Sequence, residues 1–113
     1  MKKIKLHKRL EHMDYYKIVD YYVNQYHYDK MIAVLYDLSY HFNQMESDEA
    51  EKQIDRLGLS ELGLEQVIES DVIFMQFDKM TDMEEYMYRT EYEGVWIKYY
   101  KFGELYEEYE ADV

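Results

Sequence analysis

The side chains of this chain that could do chemistry are four histidines (His7, His12, His27 and His41), four serines and 25 carboxylates. No two histidines stand four residues apart around a glutamate, and cysteine is absent, so neither a helical zinc-hydrolase motif nor a thiolate metal site is available. Ser60 lies between glycines in Gly58-Leu59-Ser60-Glu61-Leu62-Gly63, but a nucleophile elbow needs Gly-x-Ser-x-Gly at a strand-to-helix turn. Helix capping fits Ser60 better. Glycine-rich phosphate loops and an alternating Asp/Asn calcium loop are missing as well. Carboxylate pairs are so numerous that none can be singled out for general acid and base work. The pattern points away from an enzyme: no catalytic residue, metal or cofactor is expected.

What the carboxylates can do is act together. The chain carries a net charge of −12, and that charge is unevenly spread. Residues 1–13 hold five bases against one acid, a balance of +4, which leaves −16 for the other hundred residues. Such a surface repels phosphate backbones and anionic headgroups and attracts basic protein grooves. The expected partner is therefore a basic protein, not a nucleic acid and not a membrane. With 48% apolar or aromatic residues, among them 15 tyrosines and 8 methionines, the chain has enough apolar mass for a folded core despite its charge. The surplus tyrosine and methionine suit an adaptable contact surface. The lack of cysteine and of any run approaching the ~20 apolar residues of a membrane span predicts a cytoplasmic protein.

The elements that would position these charges read as one compact domain over residues 1–113, with a basic arm (1–13), a helical part (14–69) and a C-terminal part (70–113). Tyr15, Ile18, Val19, Tyr22 and Val23 recur at helical spacing over 14–25, and Met31, Leu35, Leu38 and Phe42 do so over 29–43, which predicts a helical hairpin. Ser47 and Gly58 would bound a third helix with Ile54 and Leu57 inward. A short fourth helix from Ser60 would carry Leu64, Val67 and Ile68. Residues 72–77, rich in β-branched and aromatic side chains, are the best strand candidate. Thr81 and Glu84 have capping-box spacing before a helix to about Thr90 with Met83, Tyr86 and Met87 inward. Residues 95–102 suit either strand or helix, and the acidic tail 104–113 reads as a solvated helix. The fold class expected is α+β and mainly helical: a helical hairpin followed by short helices and a small β element.

The second half of the sequence also carries a resemblance. Asp71-Val72-Ile73-Phe74, followed by Phe77-Asp78-Lys79-Met80-Thr81-Asp82-Met83-Glu84-Glu85-Tyr86, resembles the C-terminal region of the ArdA antirestriction proteins, where an apolar strand leads into an Asp-x-Met-x-Asp-apolar-x-x-Tyr helix start. Trp96-Ile97-Lys98-Tyr99-Tyr100-Lys101-Phe102-Gly103 is similar to that family's aromatic-Ile-Asp-Tyr-x-x-Phe/Tyr-Gly block. The likeness covers roughly residues 71–103. Lys98 stands where the family usually has aspartate, Glu104 where arginine is typical, and the family's N-terminal β-containing domain is missing.

The resemblance implies an acidic DNA mimic, carried by a mobile element, that fills the DNA groove of a host defence enzyme. The methyltransferase core of a type I restriction-modification system is the first target and a CRISPR effector the second. It further implies homodimer pairing through the C-terminal region, with Trp96, Tyr99 and Phe102 in the contact. The mimic surface is then expected at Asp78, Asp82, Glu84, Glu85, Glu104, Glu107, Glu108, Glu110 and Asp112. Duplex DNA carries one charge per ~1.7 Å, so a charge of −12 matches roughly 20 Å of duplex. The alternative from a different class is a non-mimic acidic interaction protein, such as a small regulatory subunit or antitoxin, that binds through a Tyr/Met-rich surface.

Overall fold

The computed structural model describes the backbone of residues 2–7 and, in full, residues 23 and 29–109. In chain order these form β1 (Lys2–His7), β2 (Met31–Tyr36), α1 (Leu38–Asn43), α2 (Ser47–Arg56), α3 (Leu64–Ser70), β3 (Val72–Phe77), α4 (Met80–Thr90), β4 (Trp96–Lys101) and β5 (Glu104–Tyr109). The strands make one five-stranded sheet in the order β1-β3-β2-β4-β5, and every neighbouring pair is antiparallel.

The expectation of a mainly helical, hairpin-first fold is corrected by this sheet. Residues 31–36 form the central strand, and only Leu38–Asn43 of the expected second helix is helical. The reason is double burial. The run Met-Ile-Ala-Val-Leu-Tyr is apolar throughout, because helices cover one face of the sheet while a second apolar cluster that includes Val23 lies on the other. A strand buried on both faces shows no alternation, so any period, the helical one included, can be read into it. The first expected helix, 14–25, lies outside the described residues except for Val23. Within the expected basic arm, Lys2–His7 is an edge strand.

Alternate strand residues divide between two cores. Ala33, Leu35, Ile73, Met75, Phe77, Ile97 and Tyr99 face α1–α4 and pack with Leu38, Phe42, Ala50, Ile54, Leu57, Val67, Met83 and Tyr86. Ile32, Val34, Tyr36, Val72, Phe74 and Tyr100 form a smaller cluster with Val23 on the opposite face, with Trp96 against it. The β3 strand, the inward Ile54 and Leu57, and α4 as far as Thr90 fall where the sequence places them. Their caps do not. Neither α2 nor α4 has a side-chain cap bond, and the Ser60 hydroxyl donates to Asp55 Oδ1 at 2.7 Å instead of starting α3.

A capping bond from a distant residue takes over at α1. Asp71, fully buried at φ +64°, accepts from the Ser39 amide at 2.9 Å and the Ser39 hydroxyl at 2.6 Å. Its own carbonyl accepts from the Leu38 amide at 3.1 Å. These bonds satisfy donors that a helix start leaves open, and they pin α1 to the turn that feeds β3.

The segment expected to be an acidic helical tail is the edge strand β5 as far as Tyr109. It returns from β4 through the two-residue turn Phe102-Gly103, with φ values of +51° and +85°. Two successive positive φ values give the twist that suits a tight hairpin. In the register of this hairpin Lys101 is opposite Glu104 and Lys98 opposite Glu108.

Candidate interaction surface

The acids expected to form the mimic surface fall on two elements. Asp78 and Glu85 are exposed and Asp82 and Glu84 half-buried in and before α4, while Glu104, Glu107 and Glu108 are exposed on β5. Glu110 and Asp112 lie outside the described residues. Phe77 and Lys101 both pair with Met31, so the start of α4 and the β4–β5 turn sit at the same end of the sheet. Two strand spacings, about 9.5 Å in total, separate β3 and β4, the strands that lead to them.

Sequence reasoning missed comparable acids on the preceding helices. Asp48, Glu49, Glu51 and Asp55 are exposed on α2, as are Glu61, Glu65 and Glu69 on and before α3. The signal was present in the four-residue spacing of Glu61, Glu65 and Glu69, which places carboxylates about 5–6 Å apart where the chain is helical. Some of this charge is used internally. Arg56 bridges Glu93 at 2.8 Å and Glu49 at 3.1 Å, tying α2 to the loop after α4, and Glu93 first and Glu49 second raise the guanidinium pKa.

The expected dimer contact does not hold together. Tyr99 is fully buried, its ring 6.5 Å from Tyr86 and 5.6 Å from Tyr109, and its hydroxyl lies 3.0 Å from Thr90 Oγ1. It cannot reach a second copy without unfolding the core. Trp96 is half-buried beside Tyr40, with ring centroids 6.1 Å apart, and Phe102 is exposed in the turn. Neighbours in a strand point to opposite faces, which splits any strand segment treated as one contact.

Tyrosine forms a graded series from core to surface. Phe77, Tyr86, Tyr99 and Tyr109 follow one another at ring spacings of 5.5, 6.5 and 5.6 Å. The Tyr86 hydroxyl donates to the Leu57 carbonyl at 2.7 Å. Burial pushes the Tyr86 and Tyr99 phenols well above their ordinary range. Tyr109, at the surface end, is raised first by partial desolvation and then by the charges of Glu91 and Glu107, with Tyr88 and Tyr92 also acting on it. Tyr88 and Tyr92 are 78% and 90% exposed.

The remaining candidate groups have structural tasks. The buried His41 ring donates from Nε2 to Gln53 Oε1, and Gln53 Nε2 donates onward to the Glu93 carbonyl at 2.6 Å. The chain of bonds links α1, α2 and the loop before β4. Among the described residues no group of three or more His, Asp or Glu is placed to hold a metal ion, and no helix is long and apolar enough to cross a membrane. Comparison with protein-family models, with curated proteins and with solved structures returned no match, so the antirestriction resemblance rests on the quoted residues alone.

Proposed function

We propose that this protein works by presenting its acidic surface to a basic protein surface, and that it does so as a DNA mimic occupying the DNA groove of a host defence enzyme. The methyltransferase core of a type I restriction system is the first target to test. One observation carries the reading: exposed carboxylates recur on α2, α3, α4 and β5, outside a core that uses few of them. The longest dimension of the fold is 37 Å, a length over which duplex DNA carries about 22 charges. With a net charge of −12, the protein reaches roughly half the charge density of a duplex, enough to compete for a groove built to bind phosphates.

The exposure of Tyr88 and Tyr92 favours a second reading, a regulatory or antitoxin-like protein whose binding depends on aromatic anchors. The two differ in how binding energy is distributed. A phosphate-like array shares attraction over many carboxylates, so neutralising Glu61, Glu65 and Glu69, or Glu104, Glu107 and Glu108, should each weaken binding in part and together nearly additively. Hot-spot binding should collapse with Tyr88→Ala or Tyr92→Ala and ignore both acidic triples. Titration of these variants against the methyltransferase core decides between them, and indifference to both triples overturns the mimic reading.

A further inference from the structure

We infer that the outer edge of β5 is a docking site for an extended, Lys/Arg-rich segment of a partner protein, which adds to the sheet as a sixth strand. The inference rests on the reading that the partner is basic, and it names the surface and the form of the partner. Three observations coincide there. First, β5 ends the sheet, so one side of its backbone has no strand beside it among the described residues. The amide of Glu108 donates to the Glu107 carboxylate of its own strand, at a long 3.3 Å, a contact that a better acceptor on an added strand would replace.

Second, apart from Tyr40 beside Trp96, the exposed large apolar side chains of the described residues lie on the β4–β5 hairpin and at the end of α4. Phe102, Leu105 and Tyr106 are 51%, 50% and 47% exposed on the β4–β5 hairpin, and Tyr88 and Tyr92 stand at the end of α4. Tyr99 touches both α4, through Tyr86 and Thr90, and β5, through Tyr109. The end of α4 therefore flanks the strand. Aromatic rings and a leucine can cover the aliphatic stems of Lys and Arg and attract their charged heads.

Third, charge selects the occupant. Glu104, Glu107 and Glu108 repel a second β5, which guards the edge against pairing with its own kind, and the same carboxylates attract a basic strand. The bulge at Tyr106, where Tyr99 pairs with Glu107 but Tyr100 pairs with Leu105, restricts regular pairing to the segments on either side of it. Main-chain bonds would supply affinity and the alternating side chains selectivity, as in other strand additions.

The probe is a blocked peptide of about eight residues alternating Lys and Val, long enough to span the strand. It is accompanied by two versions N-methylated on one edge or the other, and by a helix-forming Lys/Ala peptide of equal charge. Binding is read by fluorescence anisotropy on the full chain. The parent peptide should bind, and Glu104→Gln/Glu107→Gln/Glu108→Gln should weaken it about tenfold. The matched triple Glu61→Gln/Glu65→Gln/Glu69→Gln should leave it within about twofold, because α3 packs over β1 and β3 at the far side of the sheet. One N-methylated peptide should lose binding and the other keep it. Equal binding of the helical peptide, retention by both N-methylated versions, or equal loss in the two triples would overturn the proposal. So would a second copy of the chain occupying the edge, seen as a dimer that excludes the peptide. Displacement of DNA from a defence enzyme by a protein that ignores strand peptides would defeat this inference and leave the proposed function standing.

Discussion

Replacing Asp71 by alanine should cost the fold about 2–4 kcal/mol, and replacing it by asparagine about 1 kcal/mol. Alanine removes the acceptor for both the Ser39 amide and the Ser39 hydroxyl, which are bonded at 2.9 and 2.6 Å in a site with no solvent exposure. Hydrogen bonds to a charged acceptor contribute about 1.5–3 kcal/mol each, and part of the sum is returned because a carboxylate no longer has to be desolvated. Asparagine keeps an oxygen for both donors and tolerates the φ of +64°, as short polar side chains do. The backbone bond from Leu38 to the Asp71 carbonyl survives in both variants. Urea unfolding followed by the fluorescence of Trp96, the single tryptophan, measures the differences. Total stability for a domain of this size is about 5–15 kcal/mol, so the alanine variant should show a clearly lowered midpoint. An alanine variant within about 1 kcal/mol of the wild type, or an asparagine variant as unstable as the alanine one, would refute the assignment of Asp71 as the cap of α1.

Three further outcomes follow from the same structure. Tyr86→Phe strips the Leu57 carbonyl of its 2.7 Å donor and should cost about 1–2 kcal/mol at neutral pH in the same urea assay. Burial raises the folded-state pKa of Tyr86 and Tyr99 above the ordinary 10.0; their stabilisation is fully present below pH 10 and is lost as pH rises, because the unfolded chain ionises first. Each should cost up to about 1.4 kcal/mol per pH unit above 10, and Tyr86→Phe with Tyr99→Phe should flatten that alkaline limb in a series of urea titrations. Gly94 has φ +73° and nothing within 4 Å of an added Cβ, so Gly94→Ala should lose about 1 kcal/mol through backbone conformation alone, with no change in the near-ultraviolet circular dichroism of the core.

The parts of the fold that were legible are those where one local signal suffices. Val72–Phe77 announces itself through β-branched and aromatic residues, α2 through the Gly58 stop and the inward Ile54 and Leu57, and α4 through the inward Met83 and Tyr86, although the side-chain caps read at Ser47 and Thr81 do not form. The central strand Met31–Tyr36 was misread because burial on both faces erases alternation. The β4–β5 hairpin was hidden twice over. Its turn is Phe-Gly, where Asn-Gly is the usual signature, and the bulge at Tyr106 breaks the alternation of β5. Strand pairing of Glu104 and Glu108 with Lys101 and Lys98 is a relation between segments, so the composition of 104–113 alone pointed to a helix. For the candidate surface, the acids of α4 and β5 were legible as polar positions, and those of α3 were overlooked despite their spacing. Tyr99 was misplaced because a strand sends neighbouring residues to opposite faces, which a contiguous aromatic block conceals.

The central claim, that the acidic surface takes the place of DNA on a basic partner, is tested most directly by displacement. A fluorescent target duplex bound to a type I methyltransferase core is titrated with the protein at ionic strengths from about 50 to 300 mM, over which the screening of exposed charges increases substantially. The account predicts complete, competitive release of the duplex, with an inhibition constant that weakens steeply as salt rises and a shallower dependence when Glu104, Glu107 and Glu108 are neutralised. Binding that leaves the duplex in place, or displacement indifferent to salt, would contradict it.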